Sequence, residues 1–108
     1  MTPEAAKQTA STILQQLGGN QFIAMTGAKN FTCDEQGGFI CKIGRNSSKA
    51  NYLKVKLNGL DLYDVEFVRA TVKAYEVIDA AENVYNDQLR GVFERVTGLR
   101  TSLTAIYA

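Results

Sequence analysis

Histidine and tryptophan are absent from the 108-residue chain, proline occurs once and cysteine twice. With no imidazole, every mechanism built on one is excluded: Ser-His-Asp and Cys-His nucleophiles, histidine general bases and His-ligated zinc. Cys33 and Cys41, eight residues apart with no second pair, fall short of a zinc site. In a reducing compartment they read as free, half-buried thiols rather than a bridge. Long hydrophobic runs are missing too, and the start Met1-Thr2-Pro3-Glu4 is acidic rather than basic. The expectation is a cytoplasmic protein with no membrane partner. The triplets starting at Asn30 and Asn46 match a glycosylation acceptor, which means nothing without secretion.

What is present suits one globular domain. Apolar residues make up 45% and charged residues 21%, and a chain of this size can bury one ordinary core without staples. Ala6, Ala10, Ile13, Leu14 and Leu17 recur at helical spacing, Thr2 can cap and Pro3 suits the first helical position, which predicts a helix over 3–17 stopped by Gly18-Gly19. From Phe22 onward the vocabulary turns to Phe, Val, Ile, Tyr and Thr punctuated by Gly and Asn, which predicts strands near 21–26, 29–33, 38–43, 51–57, 61–69 and 71–78. The short links at Gly27 and Gly37-Gly38 read as hairpins and enforce antiparallel neighbours.

The polar stretch 44–50 reads as a mobile loop. At Asn58-Gly59 a three-residue loop sets Val55 opposite Tyr63 and Lys54 opposite Asp64, giving one clean apolar face. A second helix is expected over about 83–97, on the repeat of Val84, Tyr85, Leu89, Val92, Phe93 and Val96. Asp79 with Glu82 resembles a capping box, while Asn86 or Asp87 as the cap would leave Val84 and Tyr85 to the preceding strand. A short tail, 99–108, packs through Leu99 and Leu103. The fold class is α+β: an antiparallel sheet of about five to six strands with an N-terminal and a C-terminal helix on one face.

Charge is the feature above background. Lys42, Arg45, Lys49, Lys54 and Lys56 lie between Gln36 and Leu60 with no acid among them, whereas 61–94 holds eight acids against three bases. Arg45, Lys49, Tyr52, Lys54 and Lys56 could hold a phosphate backbone and stack a base, or serve as solvated faces whose lysines protect an edge. The acidic half, with Asp64, Glu66 and Glu82, could meet a basic partner with carboxylates standing in for phosphates. Asn46 marks the polar loop as a second docking point.

Catalytic constellations are poor, so no catalytic residue, metal or cofactor is expected. Asp61, Asp64 and Glu66 around Mg2+ would need the loop to turn Asp61 inward. A thiol nucleophile lacks a base, and Thr26-Gly27-Ala28-Lys29 lacks the upstream glycine and following hydroxyl of a phosphate loop.

The segments Asn20 to Phe31 (NQFIAMTGAKNF), Tyr63 to Phe67 (YDVEF) and Val96 to Leu99 (VTGL) resemble small hypothetical proteins of bacteriophages and other mobile elements, over about 15–103. No established activity attaches to that group. The resemblance implies an accessory factor in the host cell cytoplasm that binds a macromolecule, with a block on a host defence complex among its roles. The reading is a non-enzymatic protein whose partner is first another protein, alternatively nucleic acid through the basic segment, and thirdly a second copy in a homodimer.

Overall fold

Thr2 accepts a hydrogen bond from Ala5 N at 3.1 Å through its hydroxyl, and Pro3 follows as the first helical residue, so α1 begins where its orphan amides are satisfied. In this computed structural model, which describes residues 2–34, 37–99 and 101, the order is α1 (Pro3–Leu17), α2 (Asn20–Thr26), β1 (Lys29–Cys33), β2 (Phe39–Lys42), β3 (Tyr52–Leu57), β4 (Tyr63–Ala70), β5 (Tyr75–Val84), a 3-10 turn (Asn86–Gln88) and α3 (Leu89–Thr97). The five strands form one antiparallel meander, β1-β2-β3-β4-β5, each beside its sequence neighbour.

The sheet has a buried and a bare face. Phe39, Cys41, Leu53, Val55, Tyr63, Val65 and Phe67 alternate along β2, β3 and β4 and are all buried. Against them pack Ala10, Ile13 and Leu17 of α1, Phe22 of α2, and Leu89 and Phe93 of α3. Phe93 is the pivot, with ring centroids 5.1 Å from Phe22 and 6.2 Å from Phe67. The shortest dimension, 23 Å, has room for the sheet and a single helical layer at the roughly 10 Å that packed layers need. The other face carries Lys42, Tyr52, Lys54, Lys56, Asp64 and Glu66, and none of these belongs to the core cluster.

Several expectations are corrected. Residues 20–26 form a helix, not a strand, so the strands number five. Phe22 and Thr26 are buried one turn apart, the Thr26 hydroxyl donates to Phe22 O at 2.6 Å, and β1 finds its partner in β2. The end of α2 is pinned by Gly44 N donating to Thr26 O at 2.9 Å. A Cβ on Gly44 would lie 2.7 Å from that oxygen, so the approach requires glycine.

The 58–62 connection is longer than expected. Leu57 pairs with Tyr63, Val55 with Val65 and Lys56 with Asp64, so Lys54 faces Glu66 rather than Asp64. Asn58 builds this loop by accepting from Leu60 N and Leu62 N through its side chain, at 2.8 and 3.3 Å, and Asp61 takes the left-handed conformation at φ 59°. The inner face survives because the slip is two residues, not one.

Asp79 and Glu82 lie in β5, so they form no capping box. The helix starts later than 83, with the 3-10 turn at Asn86 leading into α3. Leu99 packs on the core, whereas Leu103 lies outside the described residues.

Phe22→Ala should destabilise by about 3–5 kcal/mol, because it removes a fully buried core ring set edge-on to Phe93. Leu60→Ala, at a side chain 70% exposed, should stay within about 0.5 kcal/mol. Urea unfolding of both variants checks the pair.

Candidate functional site

Cross-strand pairing on the bare face sets Ile40, Lys54, Glu66 and Ala80 in one row and Lys56 beside Asp64 in the next. Between these rows runs a groove of about 310 Å3 whose lining includes Asp34, Lys54, Lys56, Asp64, Glu66 and Glu82. The three carboxylates expected to meet a partner therefore do come together, and two of the expected nucleic-acid lysines stand among them.

The groups in this groove are not equivalent. Lys54 Nζ donates to Tyr75 Oη at 3.0 Å and lies 5.5 Å from that ring's centroid. That hydrogen bond chiefly, with Tyr75, Glu66 and Asp34 adding attraction, holds the Lys54 pKa above 10.5 against a smaller opposing effect of burial. Asp64 is structural in part: one carboxylate oxygen accepts from Asn58 Nδ2 at 3.0 Å and Asn83 N at 3.2 Å. These bonds tie the hairpin to the bulge in β5, where Asn83 has φ 56°. Glu82 is exposed on the rim.

Asn46 lies elsewhere, inside the 44–50 loop. Its Nδ2 donates to Gly44 O and Ala50 O, both at 2.8 Å, and its Oδ1 accepts from Ser48 N at 3.0 Å and from the Ser48 hydroxyl. Ser47 Oγ donates to Thr97 O at 2.9 Å, fastening the loop to the end of α3. The stretch expected to be mobile is thus tied inside and out, and the Asn46 amide shapes it.

The five residues of the basic segment do not share a surface. Arg45 and Lys49 line a separate groove at the far end of the sheet, Tyr52 faces outward from β3, and Lys54 and Lys56 stand beside carboxylates. Arg69 joins Arg45 and Lys49, and sequence reasoning missed it. It sits in the acidic run, where only strand register could reveal it. Asn51 was missed too: its side chain donates to Ala70 O at 2.7 Å and accepts from Ala70 N at 2.8 Å, clamping β3 to the end of β4.

Thr26 to Lys29 follow the C-terminal end of α2, where carbonyls rather than amides point outward, the wrong polarity for phosphate. Among the described residues no three His, Cys, Asp or Glu are placed to hold a metal, and no helix is long and apolar enough to cross a membrane. Both thiols are free.

Burial pushes the Cys41 thiol from 9.0 up to about 12. At pH 8 native protein should therefore take up one equivalent of iodoacetamide, at half-buried Cys33, and two after unfolding, as mass spectrometry would show. The unfolded chain ionises this thiol from pH 9 while the native state resists to about 12, so this contribution is intact below pH 9 and falls as pH rises through that window. Urea midpoints at pH 8 and pH 10.5 should drop more for the native sequence than for Cys41→Val.

Comparison with protein-family models, curated proteins and solved structures finds no match, so the function is argued from the chain's own geometry.

Proposed function

We propose that this is a non-enzymatic binding protein, an accessory factor of phage or mobile-element origin that docks on a host protein through the outer face of its sheet. The observation that carries the reading is the groove that gathers Asp34, Asp64, Glu66 and Glu82 on a face no core helix covers. A surface that is not needed for the core yet concentrates like charge is available for recognition.

The chemistry specifies the partner's side. Ile40 and Ala80 give the groove an apolar floor, and carboxylates at its rim suit a strand or loop bearing Lys or Arg. Proteins that grip nucleic acid present such basic surfaces, and a row of carboxylates can occupy them as phosphates would. A host defence complex that holds nucleic acid is a partner of this class. Lys54 and Lys56 sharpen the choice, since a uniformly basic partner would meet them unfavourably.

Tagged full-length chain should capture a partner from host lysate, and the purified pair should then lose affinity when the groove is reversed. Glu66→Lys with Glu82→Lys is the chosen variant, because Asp64 also holds the hairpin. A loss of at least about tenfold, with the unfolding midpoint kept and the loss shrinking at high salt, is expected. Undiminished affinity in the folded double variant, or turnover of any substrate by the untagged protein, would refute the reading.

A further inference from the structure

Three cations from distant parts of the chain meet at the end of the sheet opposite the carboxylates. Arg45 and Lys49 come from the 44–50 loop and Arg69 from the end of β4, and with Asn46, Asn51 and Thr71 they line an open groove of about 560 Å3. The groove has a rigid frame. Asn46 knits the loop, Ser47 anchors it to Thr97 O, and Asn51 locks the start of β3 to Ala70, next to Arg69. Lys49 itself has φ 68°, a conformation the surrounding bonds must sustain.

Strand register extends the basic surface. Lys42 pairs with Tyr52, Tyr52 with Val68, and Ala70 with Tyr75, so Lys42 and the Thr71–Ala74 turn bearing Lys73 stand at this same end. The carboxylate directly across from Arg69 is Glu76. In the acidic groove, Asp64 is five residues back along β4 from Arg69, about 17 Å at the rise of a strand, and Glu66 three residues back, about 10 Å.

We infer that this groove binds the phosphodiester backbone of single-stranded nucleic acid, on a surface separate from the protein-docking face. Arg and Lys beside amide and hydroxyl groups are the chemistry that phosphate oxygens select. Arg45, Lys49 and Arg69 are all exposed, so one phosphate gains little from any of them. A polymer that repeats its charge engages several together and releases counterions at each. A single strand can bend between a loop and a strand end, where a stiff duplex cannot. Exposed Tyr75 and half-buried Tyr52, at the same end of the strands on the outer face, offer rings to unstacked bases.

Fluorescence anisotropy with a labelled oligothymidylate of about 20 nucleotides and full-length protein tests this. Binding should weaken roughly 20-fold between about 50 mM and about 200 mM salt, as about three contacts predict for a single strand. Arg69→Ala should lower the salt slope by about 0.7, while Arg69→Lys, which keeps the charge, should preserve it. Glu76→Gln should tighten binding several-fold, an effect that a purely structural role for Arg69 would not produce. Lys56→Glu should leave affinity within about threefold, because that lysine lines the other groove beside Asp64.

Absence of binding at low salt would overturn the inference. So would a matched duplex bound as tightly as the single strand, or inorganic phosphate displacing the strand at equal phosphate concentration. Equal losses from the Lys56→Glu and Arg69→Ala variants would move the strand to the outer face and refute the assignment. Absent binding, duplex binding or displacement by phosphate leaves capture of a protein by the carboxylate groove untouched, whereas a strand moved to the outer face would compete with it.

Discussion

Cys41, Leu53 and Phe67 stand side by side across β2, β3 and β4, each wholly buried, with Phe39, Val55 and Val65 in the next row. Because side chains alternate between faces, a slip of one residue in either pairing would put this set in water and bring Lys54, Glu66 and their neighbours against Phe93. Burying one such apolar side chain is worth about 1.5–3 kcal/mol, so a one-residue slip is prohibitive while a two-residue slip keeps the faces intact. The helices can cover only one of the two faces. Apart from Val68, buried outside the core cluster opposite Tyr52, what the opposite face bears is therefore released from helix packing and free to carry charge.

How much of this is legible in the sequence follows from the range of the information. The stripes of α1 and α3 and the alternation of β2, β3 and β4 are local patterns, and they place most core residues, although Val84 is buried as the end of β5 and Tyr85 is exposed before α3. The segment Asn20 to Thr26 is not decided locally, since Phe22, Ile23 and Met25 suit a strand as well as a helix. The decision comes from Gly44, eighteen residues beyond Thr26, and from Phe93, far down the chain. The turn around Asn58 failed for a different reason. Its length is set by a side chain that takes over two backbone amides, which residue type alone suggests but does not count.

The candidate sites show the same division. Asp64, Glu66 and Glu82 were found as a charge run and do share a groove, because Asp64 and Glu66 alternate onto one face of β4 and β5 lies next to it. The basic segment was found as a run and does not form one surface, because its members straddle a loop and a strand. Arg69 was hidden by its acidic neighbours in sequence. Asn46 and Asn51 look like generic loop residues, yet one knits the loop and the other clamps β3 to β4.

A meander sorts charge in a way that a linear reading cannot. Its connections alternate between the two ends of the sheet, so 43–51 and 71–74 lie at one end while 58–62 and the end of β5 lie at the other. Arg45, Lys49 and Lys73 belong to the first set, and Asp61 and Glu82 belong to the second, so a nearly neutral chain becomes polarised along its strands. The roughly 17 Å between Asp64 and Arg69 is about twice the screening length of about 8 Å at physiological salt. Asp64 and Arg69 are therefore screened from each other, whereas Glu66, about 10 Å from Arg69 along the strand, and Glu76, paired with it, still temper the basic end. What separates the two candidate surfaces is the length of the strands themselves, since the carboxylate groove lies toward the 58–62 connection and Arg45, Lys49 and Arg69 lie by the 43–51 and 71–74 connections.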